Sequence, residues 1–261
     1  MWRLAAAAVI ALALVHMADL CRPAAPDQGT VARRFQALFV TPGDERLLLI
    51  GGTVLIGGAR VTFLLLLALA VLALGVVLFR RPGPRPLQLA GFRGDGPLSI
   101  WIGRFVAGRL PPLPGLLVTG VLVGLGVQNL PGILVFAPVE ATLLAAISSW
   151  HPHNGKFDWL APPLLQALEY VFLAALGTAG RVYPPATLAL IAAVAMRHLE
   201  LAYWAKYRLR PGADRRGLGW EGRMIVAGIA AAAGILPMIY PLLALYLWGL
   251  IAWDWLVIWS A

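Results

Sequence analysis

Between Arg197 and Arg223 the sequence reads RHLELAYWAKYRLRPGADRRGLGWEGR, a dense run of ionisable side chains set between two apolar segments. On a helix Arg197 and Glu200 are three residues apart, so they share a face and can form an ion pair. His198 points nearer the face of Leu201 and Ala202, and Glu140 or Glu169 on neighbouring helices could approach this group. Arg208, Arg210, Arg215, Arg216 and Arg223, with Arg197, make up an anion-facing set. Guanidinium forks match phosphate oxygens, so arginines at this density beside a membrane would retain an anionic lipid or a diphosphate. The same richness also arises wherever topology gathers basic residues on the cytoplasmic side.

A second group of chemical side chains lies in WHPHNGKFD, residues 150–158. His151, His153 and Asp158 on one loop could meet Glu200, Asp214 or Glu221 from elsewhere around a divalent ion. Magnesium takes oxygen ligands and water, which makes Asp158, Glu200, Asp214 and Glu221 its candidate ligands, or bases, in a phosphoryl transfer. His151 and His153 would then handle protons or orient a substrate. A three-ligand zinc spacing is absent. GLGWEG, residues 217–222, is neither a phosphate-cradling ATPase loop nor a dinucleotide fingerprint. Each of these groups also has a plainer reading: satisfied ion pairs within a membrane bundle, or histidines that stabilise a loop.

Elements must position these residues, and composition decides what solvent those elements face. Of 261 residues 60% are apolar and only 13% are Asp, Glu, Lys or Arg, with a mean hydropathy of +0.80. A water-facing surface needs about a quarter of its residues charged, so most of this surface faces lipid. The formal charge of +9 sits at the ends of apolar segments, which suits phospholipid headgroups and argues against nucleic acid. A single cysteine, Cys21, excludes an internal disulfide and a cysteine-cluster metal site.

The apolar pattern divides into an all-α, polytopic membrane bundle of eight spans, with six to eight as the range. The opening MWRLAAAAVIALALVHMADLC reads as a signal-anchor or first helix that is retained rather than cleaved. Residues 22–46 read as an extramembrane loop and residues 61–79 as a span ended by Arg80, Arg81 and three prolines. Within the polar loop 80–110, residues 98–106 suit a short interfacial helix, with Trp101 and Phe105 towards lipid and Arg104 towards headgroups. Two spans flank the turn at Asn129–Pro131, the second carrying Glu140. Further spans run over 159–177 and 186–206. The last apolar stretch, 224–259, divides near Pro237–Pro241. With a cytoplasmic amino terminus this order brings the loops 80–110, 150–158 and 206–223 to one face, where most of the basic residues also fall. Residues 1–90 form an N-terminal part and residues 91–261 a multi-helical membrane domain.

From Gly91 to Trp259 the chain resembles an actinobacterial integral membrane domain of unknown function commonly fused to CDP-alcohol phosphotransferases. The segments that carry the resemblance are DGPLS, GRLPPLP, NLPG, HPHNGKFDWLAPPLLQALEY and RGLGWEGRM. It implies a protein of lipid or polyprenyl-phosphate metabolism in the bacterial inner membrane, beside a phosphotransferase that acts on a CDP-activated alcohol. The phosphotransferase motif itself, D-G-x-x-A-R followed downstream by G-x-x-x-D-x-x-x-D, is missing beyond Asp95 and Gly96, so its metal-binding and general-base residues do not carry over. The preferred reading is a cytoplasmic face that binds an anionic lipid-linked substrate and assists magnesium-dependent phosphoryl or glycosyl-phosphate transfer. The alternatives are a non-catalytic scaffold for a CDP-alcohol phosphotransferase and a lipid transporter.

Overall fold

A computed structural model describes residues 2–21, 59–72, 75, 96–105, 131–149, 161–207 and 216–259. These residues form helices throughout: α1 (Trp2–Cys21), α2 (Ala59–Leu72), α3 (Pro97–Gly103), α4 (Pro131–Ser149), α5 (Ala161–Ala179), α6 (Pro184–Tyr207), α7 (Gly219–Ala232) and α8 (Leu236–Trp259). The all-α expectation therefore holds. Two of these helices contain stretches long and apolar enough to cross a membrane, Pro184–Trp204 in α6 and Leu236–Val257 in α8. At 1.5 Å per residue they reach about 31 and 33 Å, against a hydrocarbon core of about 30 Å. The expectation of eight spans is thus met only as a helical bundle. The apolar stretches of α1, α2 and α4 are shorter, Leu4–Ala18, Ala59–Leu72 and Phe136–Ala146.

Helices α5, α6 and α7 carry the core. Leu165, Phe172, Leu173 and Leu176 of α5 pack with Leu190, Ile191 and Val194 of α6, Met224 and Ala227 of α7, and Tyr240 and Leu247 of α8. Helix α1 lies across α6 and α5. It buries Ala5, Ala6, Ala8 and Ala13, small residues that let helix backbones approach closely where dispersion does the packing. Helix α4 begins at Pro131, as the Asn129–Pro131 turn predicts, and packs on α3 and α7.

Paired contacts fix the directions. Gly177 of α5 faces Thr187 of α6, while Tyr170 meets His198, so these two helices are antiparallel. Tyr240 faces α5 at Leu173 and Gly177, and Asp254 meets Arg197, so α8 runs alongside α6 in the same direction. The tight α7–α8 turn then makes α7 parallel to α5. Consequently Glu169, Arg197, His198, Arg223 and Asp254 gather in the half of the bundle away from the α5–α6 and α7–α8 turns, about midway along α5 and α6, in the first turns of α7 and near the end of α8.

Both of those turns are closed by the same hydrogen-bond pattern. After α7, Ile235 N donates to Ala230 O at 2.9 Å and Gly234 N to Ala231 O at 3.1 Å, with Gly234 at φ 72°. This left-handed cap stops the helix. It moves the division of the last apolar stretch ahead of the expected Pro237–Pro241, because a proline in the first turn of a helix is tolerated and Pro241 is accommodated inside α8. After α5, Val182 N donates to Gly177 O at 2.9 Å and Arg181 N to Thr178 O at 3.3 Å, but here Arg181 holds the left-handed position at φ 51°. A side chain there costs about 1 kcal/mol that glycine avoids. Arg181→Gly should therefore raise stability by about 0.5–1 kcal/mol and Gly234→Ala should lower it by about 1 kcal/mol, read as opposite shifts of the unfolding midpoint in detergent.

Candidate functional site

On α5 the residues Gln166, Glu169, Tyr170 and Leu173 recur at helical spacing and form one buried stripe. Glu169 is fully buried, as is Arg223, which reaches it from α7. Arg223 Nε donates to Glu169 Oε1 at 2.6 Å and Nη2 to Oε2 at 3.0 Å, a two-pronged fork. Nη1 reaches back to Gly217 O at 2.8 Å and so closes the turn into α7. Nη2 also lies 2.8 Å from His198 Nε2. The same Nε2 stands 3.1 Å from Glu169 Oε2, so it accepts from the guanidinium in one tautomer and donates to the carboxylate in the other, while Nδ1 lies 3.0 Å from the Tyr170 hydroxyl. Four side chains from three helices thus satisfy one another in an apolar setting, where a lone charge would cost several kcal/mol.

Beside this group lies another. Arg197 Nη1 donates to Glu200 Oε2 at 2.7 Å, the ion pair expected from their spacing, and to Asp254 Oδ2 of α8 at 2.8 Å. The Arg197 guanidinium also stands over the Trp204 ring at 5.6 Å. Two carboxylates thus face this one guanidinium. Arg216 lies on that side, with Nη1 at 4.0 Å from Asp254 Oδ1 and its side chain 67% exposed. Its backbone is held too, since the Tyr246 hydroxyl donates to Arg216 O at 2.6 Å.

Glu221 does something different. Its oxygens accept from Leu98 N at 3.0 Å and Ser99 N at 2.7 Å, which caps the first turn of α3. Ser99 Oγ donates in turn to Thr142 O of α4 at 3.3 Å. The carboxyl group packs so closely on Gly96 that a Cβ there would overlap it. Burial raises the Glu221 pKa above its ordinary 4.5, opposed by hydrogen bonds from Ser99 and Leu98 and by the charge of Arg223.

Of the residues expected to do chemistry, the structure places Glu200, Glu221, Arg197, Arg216 and Arg223 in the same half of the bundle. The guanidinium groups of Arg197 and Arg223 face carboxylates, and both oxygens of Glu221 face backbone amides. His151, His153, Asp158, Asp214, Arg208, Arg210 and Arg215 lie outside the described residues. Among the described residues no three His, Cys, Asp or Glu side chains converge to hold a metal ion. Sequence reasoning passed over Asp254, although one acid inside the apolar run AWDWL signals a buried partner. It also left Tyr170 without a role, because a tyrosine on a core face gives no sign of its hydrogen bond in advance. Two buried polar atoms of the same region, Gln166 Oε1 and Trp220 Nε1, have no hydrogen-bond partner among the described residues.

Two predictions test these contacts. Arg223→Met leaves Glu169 buried without its cation and should cost about 3–5 kcal/mol, whereas the double change Glu169→Leu with Arg223→Met should recover much of that, read by thermal unfolding in detergent. For Glu221 the raised folded pKa means that the folded protein holds the proton more tightly than the unfolded chain. Its stabilising contribution is complete below about pH 4.5 and is lost as pH rises through the folded value. A pH series of unfolding midpoints should show that decline, and Glu221→Gln should flatten it.

No curated protein and no solved structure matches this chain. A family model does match, over residues 86–252, a span that takes in α3 to α7 and most of α8, with the side-chain contacts above except those of Asp254. The chain belongs to that family, a family of unknown function designated DUF5941.

Proposed function

We propose that this is a multi-pass protein of the bacterial cytoplasmic membrane, with a role in lipid or polyprenyl-phosphate metabolism, whose polar end binds an anionic lipid-linked group. The observation that carries the reading is Arg216. It is an exposed guanidinium beside Asp254, which is near the end of the membrane-length stretch of α8, and its backbone carbonyl is bonded by Tyr246 of the same helix. Arg208, Arg210 and Arg215 lie in the same connection between α6 and α7, so a phosphate held there would meet several guanidinium groups. The exposed side of α8, with Met238, Leu242, Leu245, Trp253 and Leu256, supports lipid as the surrounding solvent.

The chain's own contribution to a transfer reaction is to hold and orient that anion. Asp158 and Asp214 stand as the carboxylates for a magnesium ion, which would neutralise phosphate charge, and His151 and His153 as proton-handling groups. The scaffold reading has one observation in its favour: Glu169, Glu200, Glu221 and Asp254 are all bonded within the protein. Under that reading the polar end presents a rigid face to a CDP-alcohol phosphotransferase.

Purification in native lipid particles followed by mass spectrometry of retained lipid tests the proposal. Changing Arg208, Arg210, Arg215 and Arg216 together to glutamine should reduce the retained anionic lipid at least about tenfold. Unchanged retention overturns anion binding at this face. Recovery as a stoichiometric enzyme subunit, with full turnover in Asp158→Asn and Asp214→Asn, selects the scaffold.

A further inference from the structure

Helix α3 is short, yet it has two distinct sides. Ser99 and Gly103, four residues apart, are buried against the bundle. The other side exposes Ile100, Trp101, Arg104 and Phe105, with Trp101 at 58% and Phe105 at 74%. The two rings pack edge to face at a centroid distance of 5.4 Å. In water a paired Trp and Phe held outward in this way loses the benefit of burial. At a headgroup layer the indole is well placed, and Arg104 beside it meets phosphate.

The level of α3 along the bundle can be worked out from its tether. Glu221 holds the helix by two backbone amides and lies two residues, about 3 Å, from Arg223 towards the polar end. Arg223 is level with His198, which lies six residues, about 9 Å, short of Trp204, where the apolar stretch of α6 ends. Helix α3 is therefore attached about 6 Å inside that end, at the boundary between acyl chains and headgroups. Helices with an apolar aromatic side and a cationic edge settle at that depth.

We propose that the outer face of α3 docks on the anionic headgroup layer of the membrane, with Trp101 and Phe105 in the boundary region and Arg104 on lipid phosphate. Glu221 fastens this contact to the bundle, two residues from the arginine that holds the buried charges together. Lipid contact at α3 and the packing of α7 are thereby joined through Glu221, beside the close approach of Gly219 to Pro97. The inference rests on the membrane reading above and fixes which surface meets the headgroups.

The test uses a nitroxide at Ile100→Cys in a Cys21→Ala background, with the full chain reconstituted in phosphatidylglycerol or phosphatidylcholine vesicles. A second label at Leu245→Cys, on the exposed side of α8, reports independently whether that helix spans. Accessibility to oxygen and to a water-soluble nickel complex gives the depth of each. The label at 100 should lie between a headgroup label and a mid-chain label. With Arg104→Gln the equilibrium for surface engagement should fall about fivefold in phosphatidylglycerol and stay unchanged in phosphatidylcholine. If 245 reads hydrocarbon while 100 reads bulk water, the docking of α3 is overturned and the membrane reading stands. If 100 is shielded from both reagents, α3 faces protein and the proposal is likewise overturned. If 245 itself reads water, both fall.

Discussion

The Arg223–Glu169 fork is the interaction on which the rest of the structure depends. Each ion alone would be costly to bury, and together they are tolerable only because the remaining donors are also used. Arg223 supplies two prongs to the carboxylate, one to Gly217 O and one to His198. Those partners lie on α5, on the turn before α7 and on α6. The guanidinium is rigid and planar, so it fixes the three at once. Lysine would keep the charge and lose the fork.

From this centre the order propagates along α7. The turn that precedes it carries Leu218 and Gly219 in left-handed conformations, at φ 66° and 65°. A leucine there is strained, and the hydrogen bond from Arg223 to Gly217 O is what holds the chain in that shape. The same turn sets Glu221 against α3. Attachment of α3 thus depends in part on how α7 begins, and α4, which packs on both helices, adds the hydrogen bond from Ser99 to Thr142 O.

How far this was legible in the sequence follows from the physics of each element. Helix type and the position of the charged end were readable, since long apolar runs with few charges leave little choice. The Arg197–Glu200 pair was readable from spacing alone, being local. Partners that are distant in sequence were not. Asp254 is 57 residues from Arg197 and Glu169 is 54 from Arg223, and the order of residues does not say which helix faces which. The number of membrane spans was also beyond it. Hydropathy cannot separate a helix that meets lipid from one shielded by its neighbours, and only α6 and α8 contain apolar stretches of spanning length among the described helices. Glu221 shows the same limit in chemical terms. A carboxylate beside arginines reads as a ligand or base, and only the arrival of Leu98 and Ser99 from more than a hundred residues away makes it a helix cap.

On the membrane reading proposed above, the lipid solvent explains why a chain this apolar retains such a charged layer. Between helices in lipid there is little hydrophobic drive, so association depends on close packing and polar contacts. Packing of alanines, as along α1, is permissive about register, because one small residue substitutes for another at the next turn. An arginine fork is not permissive. A slip of one turn, about 5.4 Å, would separate Arg223 from Glu169 and Arg197 from Asp254 together. Arg197 and His198 lie about 10 Å from where the apolar stretch of α6 stops and about 5 Å from its middle. At such a depth a charge that lost its partner would be costly, and that is what lets the pairing discriminate. The charged layer thus specifies the register of α5, α6, α7 and α8 in the half of the molecule where Arg216 faces outward.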